Sequence, residues 1–252
     1  MENSSAFPIS QNSPIVWPAS SFLLWPSLLA ALGLIAVLVI FSGLGALGSA
    51  AFTPQGSPGH LSTLRILIAT AVGEIAVAVY LTRALPWVSG LSLSSLGFRV
   101  PTIRELGIAV SGAIAMTIVV NGLGSLIAAL AKSNHQQDAV ALFNALSGPV
   151  KYLLFAPFAV LLAPLVEEFT FRVFVFNWVR RHSRFWPAAI ISGLIFGAAH
   201  GDPYFFIPLA LGGVILCGVY YLTRNAWMSM ISHGLFNAFS LLAIVLSQSV
   251  RH

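Results

Sequence analysis

Three short arrangements of ionisable and amide residues stand inside apolar sequence in the second half of the chain. They are Glu167-Glu168 with Arg172, Phe196 with His200, and His233 with Asn237. A carboxylate in a poorly solvated site can take a proton from water and return it to a leaving group. An imidazole can share that work, and a His/Asn pair offers the hydrogen-bond donors that a developing oxyanion needs. Together these residue types suit the addition of water to a carbonyl.

Spacing divides the roles. Glu168 and Arg172 are four apart, share a helix face and suit an ion pair. Glu167 lies about 100° around the helix from Glu168, so it looks onto a different neighbour and is not obviously paired by Arg172. One glutamate is thereby explained structurally, and the other is left for chemistry. The alternative is that both glutamates bind other helices as structural glue. Phe196 lies one turn before His200 and can wall the imidazole from lipid, while Gly193, Gly197 and Gly201 at four-residue intervals would let a partner helix approach closely. His233 and Asn237 also share a face, and alone they would equally suit an interhelical hydrogen-bond clamp. Glu74, another acid within an apolar run, stays unassigned between a structural partner and a cavity-lining group.

The elements that must carry these groups are membrane helices. Of 252 residues 58% are hydrophobic and only 8% charged, far below the charged quarter or so of a soluble domain. Apolar runs of about 20 residues suffice to cross a bilayer. They predict spans near 21–49, 65–83, 106–131, 150–179, 186–200, 204–223 and 227–247. The fifth is short, as suits a helix partly buried by its neighbours. Residues 84–104 read as an interfacial segment, and 132–138 as the most polar loop. The expected architecture is all-α, a polytopic transmembrane bundle of about seven or eight spans. Its parts are a polar tail over 1–20, an N-terminal transmembrane region over 21–148 and a catalytic transmembrane core over 149–252.

A charge inside a span is costly, so Glu74, Glu167, Glu168 and Arg172 are functional candidates by position alone. With the N-terminus cytoplasmic, seven of the 12 Lys and Arg fall in inside loops and four outside, Arg172 lying within a span. That bias favours the N-terminus inside. The net charge of +5 reads as this orientation signal; no basic, aromatic-laced face suggests nucleic acid. Cys217 is the only cysteine, which excludes an intrachain disulfide and a Cys-rich metal site. Residues 1–20 lack the basic start of a signal peptide, and Asn3-Ser4-Ser5 carries little weight as a glycosylation site. No fixed-period repeat supports an inverted-repeat transporter.

The ordered set, Glu-Glu-x-x-x-Arg, Phe-x-x-x-His and His-x-x-x-Asn on successive predicted helices over about 150–240, resembles the CAAX-protease and bacteriocin-processing family, the Abi or CPBP intramembrane proteases. Leu96-Gly97-Phe98-Arg99 is similar to that family's lead-in to the next span. The resemblance implies a glutamate-dependent endopeptidase in an all-helical transmembrane bundle enclosing an intramembrane catalytic cavity open to membrane and cytosol. Glu167 with His200 would activate water, His233 and Asn237 would form the oxyanion hole, and Glu168, Arg172 and Phe196 would support the site. Family members are often labelled metalloproteases, and Glu167, His200 and His233 would be the zinc ligands. The chain has no His-Glu-x-x-His, and Asn is an uncommon zinc ligand, so no metal is the preferred expectation. The implied partners are the lipid bilayer and a peptide or lipid-modified protein substrate within it, with no nucleic acid. The implied location is a prokaryotic plasma (inner) membrane. Two other classes compete: a non-catalytic immunity or scaffold protein, and a proton-coupled transporter using Glu74, Glu167 and His200 as a relay.

Overall fold

The computed structural model describes residues 60–90, 92–132, 137–146, 148 and 151–249, together with the helical pair Leu32 and Gly33. The span expected over 21–49 otherwise lies outside the described residues. Seven helices follow in order: α1 (His60–Ser89), α2 (Ile103–Leu130), α3 (Asp138–Ala145), α4 (151–182), α5 (Phe185–Ala199), α6 (Phe206–Thr223) and α7 (Ala226–Ser249). No strand occurs among the described residues. Five of the helices are long and apolar enough to cross a membrane: α1, α2, α4, α6 and α7. Helix α5 is a shorter apolar helix.

Helix α2 begins where its sequence says it must. The Thr102 hydroxyl accepts from the Glu105 amide, and the Glu105 carboxylate accepts from the Thr102 amide, a reciprocal cap that satisfies two otherwise orphaned donors. The interfacial segment read over 84–104 is three things. Residues 84–89 complete α1, 103–104 open α2, and between them 92–102 form a tether. Leu96 is fully buried, and Phe98 packs edge-on against Phe169 and Trp227. The Ala226 amide donates to Gly97 O at 2.9 Å, and the Asn225 amide to Arg99 O at 3.1 Å. The Arg99 guanidinium donates to Thr223 O at 2.8 Å and pairs with Glu105. Gly97 has φ +97°, and a Cβ there would stand 3.1 Å from Arg224 O, so only glycine fits this crossing. The lead-in tetrapeptide thus fastens the α1–α2 connection to the α6–α7 turn.

Helices α5 and α6 meet backbone to backbone. A Cβ on Gly193 would lie 2.5 Å from Ala210 O, and one on Gly197 2.5 Å from Phe206 O. That is the close approach the glycine spacing predicts. Gly201 does not share in it. It lies past the helix end at φ +66° with open space around it, and it serves the turn into α6. The Asp202 carboxylate then accepts from the amides of Tyr204 and Phe205, which starts α6.

Helix α4 is wound wide over Lys151–Phe155, Phe158–Leu162 and Phe169–Phe176, with π-type turns. Such turns free carbonyls from the regular ladder, and neighbouring helices use them. At the middle turn the Ala163 amide donates to Phe158 O, and Pro164 has no N–H to give. Ala159 O is therefore left without either usual helical donor, and the Asn237 side chain of α7 donates to it at 2.7 Å. At the third turn Ser192 of α5 donates to Phe171 O at 2.9 Å. Proline placement in α4 and an amide in α7 thus fix how these two helices sit.

Candidate active site

The site grows from α4. Glu168 and Arg172 are both fully buried, and Arg172 Nη1 lies 2.9 Å from Glu168 Oε1. Two opposite charges tolerate a dry interior only as a paired, bonded unit. Arg172 finds two further partners: Gly213 O on α6 at 3.3 Å and the face of Phe196, 4.5 Å from the ring centroid. Phe196 is nearly fully buried. It also meets His200 edge-on at 4.7 Å and His233 at 5.7 Å between ring centroids. Its expected role as a wall for His200 is therefore a fraction of what it does; it also supports the arginine.

His233 of α7 is buried and joins the same carboxylate: His233 Nδ1 lies 3.0 Å from Glu168 Oε1. An ionised carboxylate only accepts, so this contact assigns the proton to Nδ1 and leaves Nε2 as the second functional atom. His233 Nε2 lies 3.8 Å from Glu167 Oε2. The two glutamates, expected to look onto different neighbours, share one: His233 stands between them. Glu168 thereby holds both Arg172 and His233, a link that helix spacing within α4 alone does not reveal.

Glu167 is the less buried of the pair, with 22% of its side chain exposed. Its Oε2 makes no hydrogen bond, and the side chain lines a cavity of about 690 Å³. His200, His233 and Asn237 line the same cavity. His200 Nδ1 lies 2.8 Å from Phe196 O. A carbonyl only accepts, so Nδ1 carries the proton and Nε2 is left as a base. The Asn237 amide has one N–H committed to Ala159 O, and its other N–H remains for a ligand. The structure therefore brings together all four residues expected to do chemistry, around one space.

Two features of that space go beyond the motif residues. Glu74 of α1 lines it, which gives the unassigned acid a position facing the site. Asn121 of α2 lines it too and donates to Ser240 of α7 at 3.3 Å. A polar amide in the middle of an apolar run was the available sequence signal for Asn121. Glu167, His200 and His233, the zinc set allowed by the resemblance, line this one cavity; as the side chains stand, no three His, Cys, Asp or Glu among the described residues are grouped closely enough to hold a metal ion.

Residues 149–239 match the Rce1-like family, described as type II CAAX prenyl endopeptidases. This stretch contains every motif residue and is the region in which the chain carries that family's pattern. Two curated proteins are similar over part of the chain. MroQ of Staphylococcus aureus (strain USA300), named a membrane-embedded CAAX protease, is 35% identical over 96 residues, covering 35% of this chain and 38% of MroQ. YdiL of Bacillus subtilis (strain 168), provisionally named a membrane peptidase, is 28% identical over 79 residues, covering 31% of this chain and 32% of YdiL. The chain thus spans about a third of the length of these relatives. No solved structure gives a significant match.

Proposed function

We propose that this chain is an intramembrane endopeptidase that hydrolyses a peptide bond of a membrane-associated substrate without a metal. One observation carries the reading: Glu167 presents a buried oxygen with no hydrogen bond, beside His233, to a cavity shared with His200 and Asn237. The similarity of residues 149–239 to CAAX prenyl endopeptidases supports the same reaction class.

In this mechanism a water molecule sits between Glu167 and His200 Nε2. Glu167 takes its proton as the water oxygen bonds to the substrate carbonyl carbon, and the carbonyl electron pair moves to oxygen. Asn237, through its second N–H, and His233, through Nε2 when that atom carries a proton, donate to the oxyanion. The intermediate collapses as the C–N bond breaks, and the proton held by Glu167 passes to the departing amine. Glu168 and Arg172 do not touch the substrate; they hold His233 at its angle.

The site lies among membrane-length helices, which supports a substrate bond in or beside the bilayer. Arg99 bonds to Thr223 next to Arg224, and Arg180 stacks 5.8 Å from the Tyr221 ring. These contacts gather arginines from three connections at one end of the bundle, which supports a cytoplasmic assignment for that end.

Cleavage of membrane peptides by the purified chain, compared with its Glu167→Gln variant, tests the reading. The variant keeps shape and loses the base, so cleavage should fall by about 10²- to 10⁴-fold; equal cleavage by both proteins refutes the mechanism. Metal analysis of the active protein separates the metal-free route from its rival. Stoichiometric zinc, with activity lost on chelation and restored by zinc, would replace it.

A further inference from the structure

The chemistry uses Glu167, yet a second carboxylate faces the same cavity with no assigned work. Glu74 sits on α1, inside a segment long and apolar enough to span the membrane. It is one of the residues lining the 690 Å³ cavity, which Glu167 also lines. No Arg or Lys among the described residues lines that cavity. The arginine nearest the chemistry, Arg172, is fully buried and turned to Glu168, Gly213 and Phe196. Among the described residues the space therefore presents two acids to its contents and no Arg or Lys side chain.

Acidic side chains inside a membrane span are costly and are retained where a partner or a pathway uses them. Glu74 is no part of the bonded unit of α4 and α7, and removing it would free none of the buried groups described above. Its position gives it access to whatever occupies the cavity. A cavity of this size suits a short stretch of peptide, and in low dielectric a carboxylate recognises a cation far better than it does in water.

We infer that Glu74 is a specificity-determining residue that pairs with a basic side chain, Lys or Arg, a few residues from the scissile bond. The preferred substrate is then an apolar peptide carrying one positive charge that must enter the cavity with it. The rest of the lining, with Phe143, Phe155, Phe158 and Leu241, takes the apolar flank. This inference rests on the peptidase reading for the word substrate, but not for the recognition itself.

The test separates the two. A short dansyl-labelled apolar peptide with a single Lys, scanned along its length, and its Gln counterparts are titrated into the full chain in phosphatidylcholine nanodiscs. The Glu167→Gln background serves for binding and the unaltered chain for cleavage. At one position the Lys peptide should bind about tenfold more tightly than its Gln counterpart, the scale of a modest desolvated charge pair. Glu74→Gln in the same background should bring that ratio close to one, and Glu74→Lys should favour a Glu peptide instead. Size exclusion in detergent checks that each variant stays folded, and the Gln variant decides alone if the Lys variant fails to fold. Equal binding of Lys and Gln peptides at every position overturns the inference, as does a Lys preference that survives Glu74→Gln. Loss of cleavage in Glu74→Gln with an unchanged binding ratio also overturns it, and assigns Glu74 to the bond-breaking step. A binding preference without cleavage by the unaltered chain leaves the recognition standing and removes the peptidase reading.

Discussion

The cavity has two unlike walls. On one side α4, α5 and α7 are cross-bonded: Glu168 to Arg172 and His233, Asn237 to Ala159, Ser192 to Phe171. On the other side α1, α2 and α3 contribute Thr70, Glu74, Asn121, Ser125, Gln137 and Val140. At the cavity itself these are tied to the first wall by fewer side-chain bonds, Asn121 to Ser240 and Asn144 to Gln248, the tether at 96–99 being the stronger link beyond it. The difference separates tasks. The proposed hydrolysis needs donors and a base held within fractions of an ångström, and the bonded wall suits that. Substrate fit needs shape and charge that can differ between relatives, and the sparse wall leaves room for it.

This contrast can be broken most sharply at Glu167. Its replacement by Gln should lower kcat by about 10²- to 10⁴-fold, the worth of a general base, with little change in melting temperature. Arg172→Leu should act through stability instead. It strands a buried carboxylate, a loss of about 3–5 kcal/mol, which thermal unfolding in detergent would read. Retained stability there would show that His233 alone suffices to hold Glu168. Asn237→Ala should cost about 10²-fold in kcat if its free N–H reaches the oxyanion. A melting-point drop with kcat unchanged would make Asn237 purely the clamp for Ala159. Gly197→Val forces the α5–α6 contact apart and should destabilise by about 1–3 kcal/mol, carrying His200 out of register and so reducing kcat as well. On the sparse wall, Asn121→Ala should remove about 0.6 kcal/mol, the average for an interhelical hydrogen bond in a membrane protein. It should move KM more than kcat; the reverse would place Asn121 on the chemical wall.

Much of this was legible because a bilayer constrains sequence so strongly. Five expected spans within 65–247 coincide with α1, α2, α4, α6 and α7 to within a few residues, and the short fifth span with α5. The pairing of Glu168 with Arg172 follows from helix spacing. Helix α3 was not visible: Asp138 read as the end of a polar loop, and the eight-residue helix it opens is too short for a periodic signal to emerge. The wide turns of α4 were hidden for another reason. Pro164 marks where a donor is missing, but which acceptor is orphaned, and that Asn237 answers it, depends on where α7 lies. The same applies to His233, whose contact with Glu168 spans 65 positions of sequence. Gly201 shows the opposite failure, a spacing that fitted the packing pattern at a residue the helix had already left.

The tether at 96–99 carries a consequence for biogenesis. Its partners, Thr223, Asn225 and Ala226, are synthesised more than a hundred positions after it, as are His233 and Asn237. Until α6 and α7 emerge from the insertion machinery, Leu96 and Phe98 lack their main contacts, and Glu167 has neither His233 nor an oxyanion donor. Under the proposed mechanism the hydrolytic centre is divided between early and late helices of the nascent chain, and it is complete only when α7 has joined α4 and the α6–α7 turn can close onto the tether.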